Sequence, residues 1–161
     1  MRIKIYGIIL GLLVLLQGCA QTQAYKEKSA LIVWKSPAFR YADMGFISDD
    51  GKNLKVEIYG SGSALMRLKI DGNSICMSQF QCMSKERFNR ELLSTYYPTE
   101  ILENIFRGKP VFSSRNIIKK RNGFTQDILN KNEFSIHYEV LNNRIIFRDT
   151  INKIFIKVQK Q

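Results

Sequence analysis

Apolar and polar positions alternate along most of this chain. Leu54, Val56 and Ile58 interleave with Lys55, Glu57 and Tyr59, and Met66, Leu68 and Ile70 interleave with Leu65, Arg67 and Lys69. A period of two sends successive side chains to opposite faces, so each run predicts a half-buried β-strand. The β-branched run Ala30–Trp34, the segment Phe39–Ser48 and the short run Ser74–Met77 read as further strands. Between them Asp49-Asp50-Gly51-Lys52, Gly60-Ser61-Gly62-Ser63 and Asp71-Gly72-Asn73 supply turn residues. The expected result is a meander of antiparallel strands.

The period then changes. Ser84 can cap a helix running to Tyr96, with Phe88, Leu92 and Tyr96 four apart on one face and Leu93 beside them; Pro98 ends it. Thr99 can cap a second helix whose stripe is Ile101, Leu102, Ile105 and Phe106, closed by Gly108 and Pro110. Strands resume from Val111: Ile117-Ile118, Gly123–Leu129, Phe134–Val140, Ile145 with Phe147, and Ile154–Val158, separated by Asn-rich turns at Asn122, Asn130 to Asn132 and Asn142-Asn143. There is no internal repeat. Strands, two short amphipathic helices and strands again predict one α+β domain that is mainly antiparallel β.

The first nineteen residues follow a different logic. Arg2 and Lys4 precede an apolar run, Ile8 to Leu16, that is shorter than the ~20 residues of a membrane-spanning helix. The ending Leu16-Gln17-Gly18-Cys19 resembles the lipobox of bacterial lipoproteins. That resemblance implies a signal peptide over residues 1–18, Cys19 as the lipidated first residue of the mature chain, and a lipid anchor that holds the protein on a membrane. Residues 19–29 read as a flexible tether and residues 30–161 as the single domain. Ala20, rather than Asp, follows the lipidated position, which by the same resemblance sorts the protein to the periplasmic face of the outer membrane.

The lipobox, the tether, the turn at Phe46-Ile47-Ser48-Asp49, the meander, the segment from Glu91-Leu92-Leu93 to Gly108-Lys109-Pro110 and the closing strands together resemble the LolB family of outer-membrane lipoprotein receptors. The resemblance implies a LolA/LolB-like fold: a strongly curved sheet or incomplete β-barrel covered by two short helices, with an apolar cavity between them. It further implies binding of lipoprotein acyl chains there, receipt of cargo from a soluble periplasmic LolA-type carrier, delivery to the outer membrane, and a monomer without cofactors. Val56, Ile58, Met66, Leu68, Ile70, Phe88, Leu92, Ile101, Ile105, Phe134 and Ile136 are the candidates to line such a cavity, or else to form an ordinary core. The loop Gly60–Ser63 has no apolar tip, unlike the membrane-delivering loop of that family.

Composition narrows the alternatives. With 25 Lys and Arg against 14 Asp and Glu the formal charge is +11, falling to +9 once Arg2 and Lys4 leave with the signal. A basic surface outside the cytoplasm points to anionic lipid headgroups or lipopolysaccharide phosphates rather than to nucleic acid, the alternative being lysines that simply solubilise exposed strand faces. The second reading is therefore a structural or interaction lipoprotein of the envelope, holding a protein partner or lipopolysaccharide, with no carrier role. With Cys19 lipidated, Cys76 and Cys82 remain as a pair, expected to be a disulfide in an oxidising compartment, the alternative being two buried thiols. Enzymatic chemistry has little to stand on: His137, the one histidine, sits on an exposed strand face with Ser135 and Glu139, and no nucleophile or metal set accompanies it. Lys119-Lys120-Arg121 is a basic cluster before a turn.

Overall fold

The computed structural model describes residues 26–78 and 82–161. Cys19, the signal segment and the first part of the tether lie outside the described residues. An N-terminal meander comprises β1 (Lys26–Lys35), β2 (Arg40–Asp49), β3 (Leu54–Gly60), β4 (Ser63–Asp71), β5 (Ser74–Met77) and the two-residue β6 (Met83–Ser84). Helices α1 (Lys85–Leu92) and α2 (Ile101–Arg107) and a 3-10 turn at Phe112–Ser114 follow. The second meander is β7 (Ile117–Lys120), β8 (Gly123–Asn130), β9 (Phe134–Leu141), β10 (Arg144–Asp149) and β11 (Ile154–Lys160).

All eleven strands join one antiparallel sheet in the order β6-β5-β4-β3-β2-β1-β11-β10-β9-β8-β7. The chain's first and last strands therefore pair in mid-sheet, with Ile32 opposite Val158 and Trp34 opposite Ile156. The strands that flank the helical segment, β6 and β7, are the two opposite edges. A chain leaving one edge to enter at the other must cross the sheet. The helical segment does so over the apolar face.

This sheet is open, neither closed nor strongly curled, which corrects the expectation of a strongly curved sheet or incomplete β-barrel and of a LolA/LolB-like fold. The edges give a physical reason. With two and four residues, β6 and β7 offer too few ladder groups to seal one edge against the other. Ile32, Trp34, Leu54, Val56, Ile58, Met66, Leu68, Ile70, Phe106, Phe147 and Ile156 are fully buried within one continuous core, and each such side chain contributes about 1.5–3 kcal/mol.

Two aromatic groups pin the crossing segment to the sheet. Trp34 meets Phe106 edge-on at 5.6 Å and Phe39 at 5.0 Å; Tyr97 meets Phe147 at 5.9 Å and Phe112 at 6.2 Å. Polar groups fix the register of these contacts. The Tyr97 hydroxyl donates to Asp149 Oδ2, and Asp149 also accepts from the N–H groups of Ser135, Ile151 and Asn152. Fully buried Gln126 accepts from Val111 N and donates to the carbonyls of Val111 and Arg115. Burial, reinforced by Asp149, pushes the Tyr97 hydroxyl far above its ordinary pKa, and burial does the same to Tyr138.

The helices depart from expectation in length. Ser84 caps α1, its Oγ accepting from Arg87 N, but the helix stops at Leu92 instead of reaching Tyr96. Ser94 accounts for the stop: its hydroxyl and carbonyl accept from Tyr96 N and Tyr97 N, a local turn that competes with helix. The Asn89 amide then holds the carbonyls of Tyr97 and Pro98. Tyr96 is left exposed. Thr99 does not cap α2; its hydroxyl donates to the Glu100 carboxylate and no side chain caps the helix. Gly108 does end α2 in the left-handed conformation, φ 74°.

Tyr97→Phe removes the donor that seats the crossing segment on Asp149. A loss of about 1–3 kcal/mol in urea unfolding is expected, with the unfolding slope unchanged.

Candidate functional site

On three neighbouring strands the inward alternation ends in a charge. Lys26, Lys28, Ala30, Ile32 and Trp34 share one face of β1; Gly45, Ile47 and Asp49 share the same face on β2; Ile154, Ile156, Val158 and Lys160 share it on β11. The register proves the match, since Lys26 lies opposite Asp49, Lys28 opposite Ile47, and Ala30 opposite both Gly45 and Lys160. Lys26 to Ser29 belong to β1 and not, as the sequence reading had it, to the flexible tether.

Lys26, Lys28, Ile47, Asp49 and Lys160 frame a cleft of about 420 Å³ with Asp50, Gly51 and the last residues of α2, Phe106 and Arg107. Its floor is Ile47 and Phe106; its walls are charged. Arg107 makes a two-pronged contact with Asp49, Nε to Oδ2 at 3.1 Å and Nη2 to Oδ1 at 3.2 Å, and reaches Glu103 at 3.4 Å. Glu103 also holds the Lys85 ammonium, so α1 and α2 are tied by the same carboxylate. Burial raises the Asp49 carboxyl. The hydrogen bond from Arg107, the Gly51 N–H and the Arg107 charge together outweigh that and hold it below its usual value. Asp50 accepts from the N–H groups of Lys52 and Asn53.

After the Arg107–Asp49 pair the wall still carries Lys26, Lys28 and Lys160. Among the described residues none of the three makes an ion pair. Burial, and next the neighbouring Lys28 charge, push the Lys160 ammonium below its ordinary pKa, while Asp49 opposes the shift. A partly buried cation beside a like charge is a place where an oxyanion gains from both Coulomb attraction and relief of that repulsion. The arrangement can hold a phosphate or carboxylate at the mouth and a short apolar group on the floor. Among the described residues no group of three His, Cys, Asp or Glu side chains could hold a metal ion.

The residues proposed from sequence as cavity liners lie elsewhere. Val56, Ile58, Met66, Leu68, Ile70, Phe88, Ile101, Ile105, Phe134 and Ile136 are buried in the core, and Leu92 is partly buried against it. Cys76 and Cys82 stand at disulfide distance, 2.02 Å between sulfurs, joining β5 to the approach of β6. His137 is half exposed, with Nδ1 2.7 Å from Asp127 Oδ1. Sequence reading missed Lys26, Lys28, Arg107 and Lys160. The signal was present in the spacing Lys26-x-Lys28-x-Ala30-x-Ile32-x-Trp34, which continues the strand period back through two lysines. Neither a model of a known protein family nor a curated protein matches this chain.

Because the folded Asp49 carboxyl titrates below its ordinary 3.8, its pairing stabilises the fold above that pH and is lost as pH falls through the lower folded value. Arg107→Gln should cost about 2 kcal/mol at neutral pH. That gap, measured by denaturant unfolding, should shrink when the two proteins are compared below pH 3.8.

Proposed function

We propose that this chain is a lipid-anchored protein of the outer membrane, periplasmic face, whose domain seats on anionic headgroups by the end that carries Lys26, Lys28 and Lys160. In this reading it is an interaction lipoprotein of the envelope with no carrier role. The observation that carries it is the position, relative to Cys19, of these three lysines, which make no ion pair among the described residues. Only six residues, 20–25, separate Cys19 from Lys26. Fully extended, the span from Cys19 to Lys26 reaches about 25 Å, so the strand end bearing the cleft stays within a short distance of the bilayer.

Other cations share that end of the sheet. Backbone hydrogen bonds link the turns in a chain, Asn142 N to Asn122 O, Lys160 N to Asn143 O and Gln161 N to Ser29 O, which sets the exposed Lys120-Arg121 turn on the same side. Each Lys or Arg near an anionic leaflet contributes about 1 kcal/mol. Phosphate oxygens of phospholipid or lipid A headgroups match the donor set of the cleft. An acyl-carrier role needs apolar space, whereas the residues expected to supply it pack against one another.

The test is flotation of the protein produced from Ala20 onward with vesicles. Co-flotation with phosphatidylglycerol or lipid A vesicles, its loss at high salt, and its weakening by Lys28→Ala with Lys160→Ala by roughly 30-fold are expected. Equal flotation with purely zwitterionic vesicles would count against the seat. One-to-one uptake of a triacylated lipopeptide without vesicle binding would favour the carrier instead.

A further inference from the structure

At the end of the sheet remote from the tether, a single row of solvent-facing residues crosses six strands. Arg40 lies opposite Lys35, Lys35 opposite Phe155, Phe155 opposite Arg148, Arg148 opposite His137, and His137 opposite Asp127. Neighbouring strands stand about 4.8 Å apart, so the stretch from Arg40 to Arg148 covers about 15 Å. Arg40 and Lys35 are like charges directly across a strand pair, an arrangement that destabilises a sheet. Arg148 stacks over the Phe155 ring at 5.1 Å.

The row borders a cleft of about 650 Å³, whose other walls include Ser36, Pro37 and Lys153. Lys153 occupies the left-handed region, φ 55°, which costs a non-glycine residue conformational energy. The turn is held there by Asp149, whose side chain takes the N–H groups of Ile151 and Asn152. Asp149 is the one carboxylate in the cleft wall, and it is 1% exposed with its oxygens already engaged by hydrogen bonds. Among the described residues Lys35, Arg40, Arg148 and Lys153 make no ion pair. Four cations thus surround an apolar centre with no internal partner.

We propose that this cleft binds an acidic segment of another polypeptide, laid across the strands, with carboxylates on Arg40, Lys35, Arg148 and Lys153 and an apolar side chain against Phe155 and Pro37. Guanidinium forks match carboxylates in two-pronged fashion. The His137–Asp127 pair, 2.7 Å apart, ends the row with an acid and bounds the cationic stretch. A membrane is disfavoured here, since the tether leaves from the opposite end of β1.

The experiment is titration of the mature lipoprotein in neutral detergent with a short glutamate-rich peptide carrying one central leucine. Its controls are the glutamine version of that peptide and inorganic phosphate. Binding of the glutamate peptide alone is expected, weakened about fivefold by each of Arg40→Ala and Arg148→Ala, with those variants still binding anionic vesicles. Lys28→Ala with Lys160→Ala should leave peptide binding unchanged. Absence of peptide binding, equal binding of the glutamine peptide or of phosphate, or loss in the Lys28 and Lys160 variant instead of the arginine variants would overturn the proposal. In the first of these cases continued vesicle binding would leave the membrane seat standing.

Discussion

The pairing of β1 with β11 in mid-sheet is the constraint from which the rest of the architecture follows. It joins the two meanders into one sheet, places β6 and β7 at opposite edges, and compels the helical segment to travel across the apolar face. The aromatic groups at Trp34 and Tyr97 exist to receive that crossing. The same pairing brings the first and last strand ends together. Lys26 and Lys28 thereby come beside Lys160, although more than 130 positions separate them in sequence. The cleft is a by-product of topology, lined where three inward-facing strand patterns run out of apolar residues.

Charge is arranged differently at the two ends. Where β1 begins, Arg107 consumes Asp49 while Lys26, Lys28 and the partly buried Lys160 make no ion pair among the described residues. At the far end, cations flank Phe155 on the outer face and the carboxylate in the cleft wall, Asp149, is drawn into the interior. Burying that carboxylate is costly unless every oxygen is satisfied, and Tyr97 and the Asn152 turn satisfy it. With its oxygens taken by these internal donors, Asp149 has no free acceptor to offer the surface cations.

Much of the local structure was legible in the residues. The turns at Asp50-Gly51, Gly60 to Ser63 and Asn142-Asn143, the Ser84 cap and the Gly108 stop follow from short-range chemistry that needs no knowledge of distant partners. Long-range facts were not. Whether Val56 or Met66 lines a space or fills one depends on how eleven strands close, and an alternating pattern is identical in both cases. The early end of α1 depends on Ser94 and Asn89 acting together across a turn. The site itself was misread because Lys26 and Lys28 resemble a polar linker until the apolar half of the same strand is aligned with them.

We propose that the lysine-bearing strand ends face the bilayer and the arginine row faces away. Lysine acetylation footprinting of the lipid-anchored protein in anionic vesicles, read by mass spectrometry against the same protein in neutral vesicles, tests it directly. The account predicts protection of Lys26, Lys28 and Lys160 in anionic vesicles with Lys35 and Lys153 modified equally in both. Protection of Lys35 and Lys153, with Lys26, Lys28 and Lys160 still open to reagent, would contradict it.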